Sequence, residues 1–153
     1  MGEGAVVIGV GNTDRGDDGV GAEVLARLER RVPSAVRLVR LSGADPTQVI
    51  AAWEGAERAF VVDAMVSGAP AGTVRRFDAG EAPLPAEVQL FSTHALGTSA
   101  GIEMARVLGS LPGALTVYAV EGATFALGAG LSPAVAAGAA EAAARILEEV
   151  RGA

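Results

Sequence analysis

The sequence predicts a three-layer α/β/α sandwich around a mostly parallel sheet of about five strands, in a single domain over residues 1–153. Three observations predict it. Short apolar runs alternate with stretches of helical periodicity in the order strand, helix, strand, helix, strand, the pattern that crossover helices impose on parallel strands. The runs Val6-Val7-Ile8 and Phe60-Val61-Val62 are continuously apolar, as strands covered on both faces are. Finally, 153 residues bury an adequate core without disulfides, and neither a repeat nor a linker divides them.

Each element has its own signal. A first strand over residues 6–9 stops at Gly9-Val10-Gly11-Asn12, which reads as a tight turn. Val20, Val24, Leu25, Leu28 and Val32 then fall at helical spacing, Asp17 or Asp18 suits the helix start, and Pro33 closes the helix. Residues 35–41 suggest a second strand, 46–53 a helix and 59–63 a third strand. Residues 72–77 predict an edge strand, followed by an exposed Pro-rich loop over 80–85 near the cleft. A helix is expected to start at Thr93-His94 and run through Ile102, Ala105 and Leu108, before a last core strand over 115–120 and a glycine-rich loop. Pro133 opens a final helix whose stripe Val135, Ala139, Ala142, Ile146 and Val150 faces the core, with Glu148 and Glu149 facing out.

Composition excludes several classes of function. A net charge of −6 without a basic cluster argues against a nucleic-acid partner, and Arg30-Arg31 reads as a solvated helix end. No apolar run approaches the roughly 18 to 20 residues that span a bilayer, so no membrane partner is expected. No secretory or transit signal is evident at the N-terminus, and a cytoplasmic location is the expectation. The chain has no Cys, so any metal it holds meets oxygen and nitrogen, and no cysteine nucleophile exists.

In open parallel sheets ligands sit beyond the carboxyl ends of the strands. Asp18, Asp63 and His94 are predicted to lie there, and two carboxylates with an imidazole suit Zn²⁺, Ni²⁺ or Mn²⁺ while leaving positions open. Each also has a plain structural reading. Asp17 or Asp18 can cap a helix, a strand-end Asp63 can cap a turn, and a lone His94 after an N-cap Thr93 can be partly solvated structure.

Three competing motifs fail on chemistry. Gly9-Val10-Gly11 has Asp14 where a dinucleotide fingerprint needs its third glycine, and Asp14, Asp17 and Asp18 would repel a pyrophosphate. Gly11 to Gly16 has P-loop spacing, yet Asp17-Asp18 stands where Lys-Ser or Lys-Thr belongs. Gly97-Thr98-Ser99-Ala100-Gly101 spells a nucleophile elbow, but no strand feeds it and the only histidine precedes Ser99.

Taken together, Gly9-Val10-Gly11-Asn12, Gly16-Asp17-Asp18-Gly19-Val20-Gly21, Val61-Val62-Asp63-Ala64, Pro70-Ala71-Gly72-Thr73, His94-Ala95-Leu96-Gly97 and Leu131-Ser132-Pro133 resemble the hydrogenase maturation proteases, in order and over nearly the whole chain. The resemblance implies a small α/β/α endopeptidase that removes a C-terminal extension from the large-subunit precursor of a nickel-iron hydrogenase after nickel insertion. It carries both the catalytic and the metal-contacting role onto Asp18, Asp63 and His94. Many members have Glu at the position of Asp18, which leaves Asp17 as the alternative first ligand. Nickel would arrive on the substrate, with another divalent metal able to replace it in isolated protein, and the chain is expected to act as a monomer. Rival readings are a nucleotide-binding or metal-sensing module without hydrolytic activity, and a metal-binding chaperone that inspects the subunit without cutting it.

Overall fold

A computed structural model describes residues 4–43, 45–91 and 97–152. Four parallel strands form the centre: β1 (Ala5–Val10), β2 (Val36–Leu41), β3 (Arg58–Val66) and β6 (Ala114–Glu121). The edge strand β4 (Val74–Asp78) pairs antiparallel with β6, giving the order β2-β1-β3-β6-β4. The two-residue strand β5 (Gln89–Leu90) pairs antiparallel with Met65 and Val66 of β3, beyond the last residue that β1 reaches. The predicted parallel sandwich is therefore present, with β5 as an addition between the Pro-rich loop read over 80–85 and the following helix.

The layers follow from strand alternation. On one face Val7, Phe60, Val62, Tyr118 and Val120 meet α1 (Val20–Leu28) and α4 (Pro133–Gly152). On the other, Val6, Ile8, Val61, Met65 and Val117 meet α2 (Pro46–Ala52) and α3 (Thr98–Leu108). Close approach of α1 to β1 requires glycines, since a Cβ on Gly9 would lie 2.5 Å from the Gly21 carbonyl oxygen.

Several boundaries differ from the sequence reading. The first helix ends at Leu28, five residues before Pro33, because Arg30 takes a left-handed conformation with φ 67°. Among the described residues α3 begins at Thr98, with Gly97 at its N-cap, whereas the expected start at Thr93-His94 lies outside the described residues. Glu149 does not face out. It forms a two-bonded ion pair with Arg76 at 2.9 Å and accepts a hydrogen bond from Tyr118, tying α4 to the edge half of the sheet. Burial, reinforced by Glu149, pushes the Tyr118 hydroxyl up to about 12.

Two strands decide where a ligand can go. From β1 the chain passes to β2 on one side, and the next crossover returns it to β3 on the other side. The connections diverge at the carboxyl ends of β1 and β3, the switch point at which open parallel sheets bind their ligands.

Candidate functional site

The segment leaving β1 turns back immediately. Gly11, at φ 138°, lets the chain pass so close to the next turn that a Cβ there would lie 2.0 Å from the Asp18 carbonyl oxygen. A short 3-10 turn, Gly16–Gly19, then carries both Asp17 and Asp18 into buried positions before α1 begins. Neither caps a helix with its side chain.

The two carboxylates have different work. Asp17 is fully buried and accepts four hydrogen bonds: from the Ala123 amide at 2.7 Å, the Thr124 amide at 3.0 Å, and the Ser132 amide and hydroxyl at 2.7 Å each. Burial works against its charge, but these bonds outweigh it and hold Asp17 below the usual carboxylate range. With its acceptor positions so used, Asp17 is a fastener for the loop after β6.

Asp18 has one oxygen satisfied and one not. Its Oδ2 accepts from the Asn12 amide at 2.7 Å, while its buried Oδ1 has no hydrogen-bond partner. Burial pushes the Asp18 carboxyl up to about 6, against the opposing influence of the Asn12 amide and the Arg15 charge.

Asp63 lies on the neighbouring strand β3 and is fully buried. Its position in β3 shares parity with Val61 and Met65, which turns it toward the α2/α3 layer. There Thr98, at the start of α3, donates its hydroxyl to Asp63 Oδ2 at 3.0 Å, and the Ala64 amide donates to Oδ1 at 2.8 Å. Burial raises Asp63 well above the ordinary range, and the Asp18 charge raises it further. The Asp18 charge that reaches Asp63 puts the two carboxylates in one electrostatic neighbourhood.

Two buried carboxyl groups that repel one another call for a proton or a cation. The unpartnered Asp18 Oδ1 and this oxygen-rich donor set fit a divalent metal such as nickel, which accepts borderline oxygen and nitrogen ligands. Among the described residues no group of three metal-ligating side chains stands within reach of one ion. His94, the third sequence-predicted site residue, lies outside the described residues.

Sequence reasoning passed over Thr98, reading it only as part of a failed nucleophile elbow. The alternation of β3 held the available signal, since it turns Asp63 toward the helix layer that carries Thr98. Ser99 is exposed in the first turn of α3. Among the described residues Thr98 is the one side-chain donor to Asp63 Oδ2, so Thr98→Val should slow turnover about tenfold, with Thr98→Ser restoring most of it. Single-turnover rates of the three proteins check this, and equal rates would show that the hydroxyl is incidental.

Sheet order and the layers of helices on both faces define the class as an α/β/α sandwich, with two buried carboxyl groups at the strand switch point. The comparisons with known proteins define it further. The family model HycI, hydrogenase maturation protease, matches residues 22–149, and the chain belongs to that family of proteases. The chain is 26% identical to the hydrogenase maturating endopeptidase HybD from E. coli, over 97% of this chain and 93% of that one, with a TM-score of 0.79. Two structures from Thermococcus kodakarensis share the fold. They are the NiFe hydrogenase maturation protease HybD at 24% identity and TM-score 0.75, covering 96% of this chain and 98% of that one, and HycI at 23% and 0.74, covering 97% and 93%. No curated protein sequence matches the chain. The rival reading of a nucleotide-binding or metal-sensing module gains nothing from these findings. No described helix is long and apolar enough to cross a membrane.

Proposed function

We propose that this protease removes a C-terminal extension from the large-subunit precursor of a nickel-iron hydrogenase once nickel has been inserted, and that Asp18, Asp63 and His94 contact that nickel. The observation that carries the reading is the buried pair at the switch point, with Asp18 Oδ1 left without a partner beside Asp63. Family membership and the likeness to an E. coli endopeptidase of hydrogenase maturation support the choice of substrate.

The division of labour follows from chemistry. The substrate brings the metal, and this cysteine-free chain offers the metal oxygen and nitrogen ligands without competing thiolates. Asp18, Asp63 and His94 would hold nickel brought by the substrate, which would keep the scissile bond close to these side chains, and when bound it would supply polarisation of the carbonyl or of the attacking water. Water then adds across the peptide bond, leaving a new carboxylate on the subunit and a free amine on the released peptide. Within this chain, Thr98 orients Asp63, while the Asn12 amide orients Asp18.

The deciding experiment follows the mass of the precursor after mixing with purified protein. Nickel-loaded precursor should lose a C-terminal peptide, nickel-free precursor should stay intact, and His94→Ala should slow the first reaction by about a hundredfold or more. Binding without any loss of mass would favour the chaperone reading. Equal cleavage of both precursor forms would remove nickel from the account.

A further inference from the structure

The loop over residues 122–132 is irregular in secondary structure yet tightly fixed. Besides the four bonds it donates to Asp17, its backbone is tied to the segment that follows β1. The Gly16 amide donates to the Ala129 carbonyl at 3.1 Å, the Asp17 amide to the Thr124 carbonyl at 2.8 Å, and the Gly128 amide to the Asp14 carbonyl at 2.8 Å. At its root Phe125 stacks on Phe91 with ring centroids 3.9 Å apart. Loop and Asp18-bearing turn therefore form one unit.

What this rigid unit shows to solvent is unusual. Ala123, Thr124, Ala126, Leu127, Gly128 and Gly130 are exposed, and no charged residue occurs between 122 and 132 in a chain that is 20% charged. Leu127 is 68% exposed, a large apolar side chain held outward on fixed backbone. Depletion of charge around an apolar anchor marks the core of a protein–protein contact, and prior rigidity removes the ordering cost of making it. Exposed leucines elsewhere do not share this setting: Leu108 lies at the far end of α3, about 15 Å along the helix axis from Thr98.

We infer that the loop over residues 122–132, fastened by Asp17 to the Asp18 turn, is the surface on which the folded body of the substrate protein docks, with Leu127 entering an apolar pocket on that protein. The inference rests on the proposed substrate, and it assigns to this loop the recognition of parts other than the severed tail. Docking here would set the distance between the folded subunit and the carboxylate pair, because loop and Asp18 move together.

The test measures processing kinetics of nickel-loaded precursor by the unaltered protein, Leu127→Glu and Leu108→Glu, with direct titration of the precursor by each protein carrying Asp63→Asn in addition. Leu127→Glu should raise KM and Kd about tenfold, as expected for loss of an apolar anchor, while kcat stays within about twofold and thermal stability is kept. Leu108→Glu should change neither constant. Unchanged KM and Kd in Leu127→Glu would overturn the inference, as would equal weakening by Leu108→Glu, which would place docking on α3. If the unaltered protein binds the precursor but never cuts it, the protease–substrate assignment fails while the titration still decides the docking surface.

Discussion

Asp63→Asn should reduce precursor processing by about a thousandfold or more while leaving the protein folded and no less stable. The expectation comes from what burial does to this group. Asp63 is inaccessible to solvent, its carboxyl is raised far above the usual range by burial and by the charge of Asp18, and no Lys or Arg hydrogen-bonds to it among the described residues. Asn keeps the shape, accepts from the Ala64 amide, and can donate to the Thr98 hydroxyl, so both contacts survive without the charge. What disappears is the negative charge.

A pH experiment separates these effects. Since Asp18 and Asp63 have raised values in the folded protein, the native state binds protons more tightly than the unfolded chain. Their contribution to stability is complete below the unfolded value near 3.8 and is lost as pH rises through the folded values, for Asp18 through about 6. In chelator-treated protein, melting temperature should accordingly fall across that window on account of this pair, and fall less in Asp63→Asn. Processing within tenfold of normal in this variant would remove Asp63 from the reaction, whatever the stability data show.

Asp17→Ala should destabilise the protein by about 2 to 4 kcal/mol and weaken processing secondarily. The substitution strips the partner from three backbone amides and one hydroxyl at once. Water reaches the exposed residues Ala123 and Thr124, which keeps the loss below the sum of four buried bonds. Here the pH dependence has the opposite sign. Asp17 is lowered in the folded state, so its stabilisation is present above the unfolded value of 3.8 and is lost as pH falls through its folded value. Urea denaturation at neutral and acid pH should therefore show a large difference between the two proteins near pH 7 that shrinks on acidification. A change under about 0.5 kcal/mol at pH 7 would mean the fastener is dispensable.

These two neighbours illustrate what a linear sequence can and cannot say. Asp17-Asp18 in a glycine-bounded turn before a helix suggests capping, and capping chemistry is local. Neither residue caps. One is consumed by a loop more than a hundred residues away, the other is left with a buried, unpartnered oxygen, and only the returning chain distinguishes them. Thr98 was hidden for the same reason, since its value lies in facing Asp63 across a layer boundary. Glu149 looked like a solvated helix residue because its partners, Arg76 and Tyr118, come from other strands.

Shorter misreadings have local causes. Strand β5 has two residues, too few for any alternation to register, and it exists because β3 runs past the end of β1 and leaves bonding groups to be met. The first helix stops early through a left-handed Arg30, a conformation that composition does not signal at an arginine.

By itself the sequence determined the alternation of strands and helices, the burial of the central sheet, the glycine turn after β1 and the acidic residues at strand ends, because these depend on periodicity, chain stiffness and local charge. The tertiary structure decided which carboxylate binds the loop, which keeps an unpaired oxygen, and which hydroxyl orients Asp63. Hydrogen bonding and desolvation act between groups that touch in space, and spatial contact between distant segments exists only once the sheet order has been set.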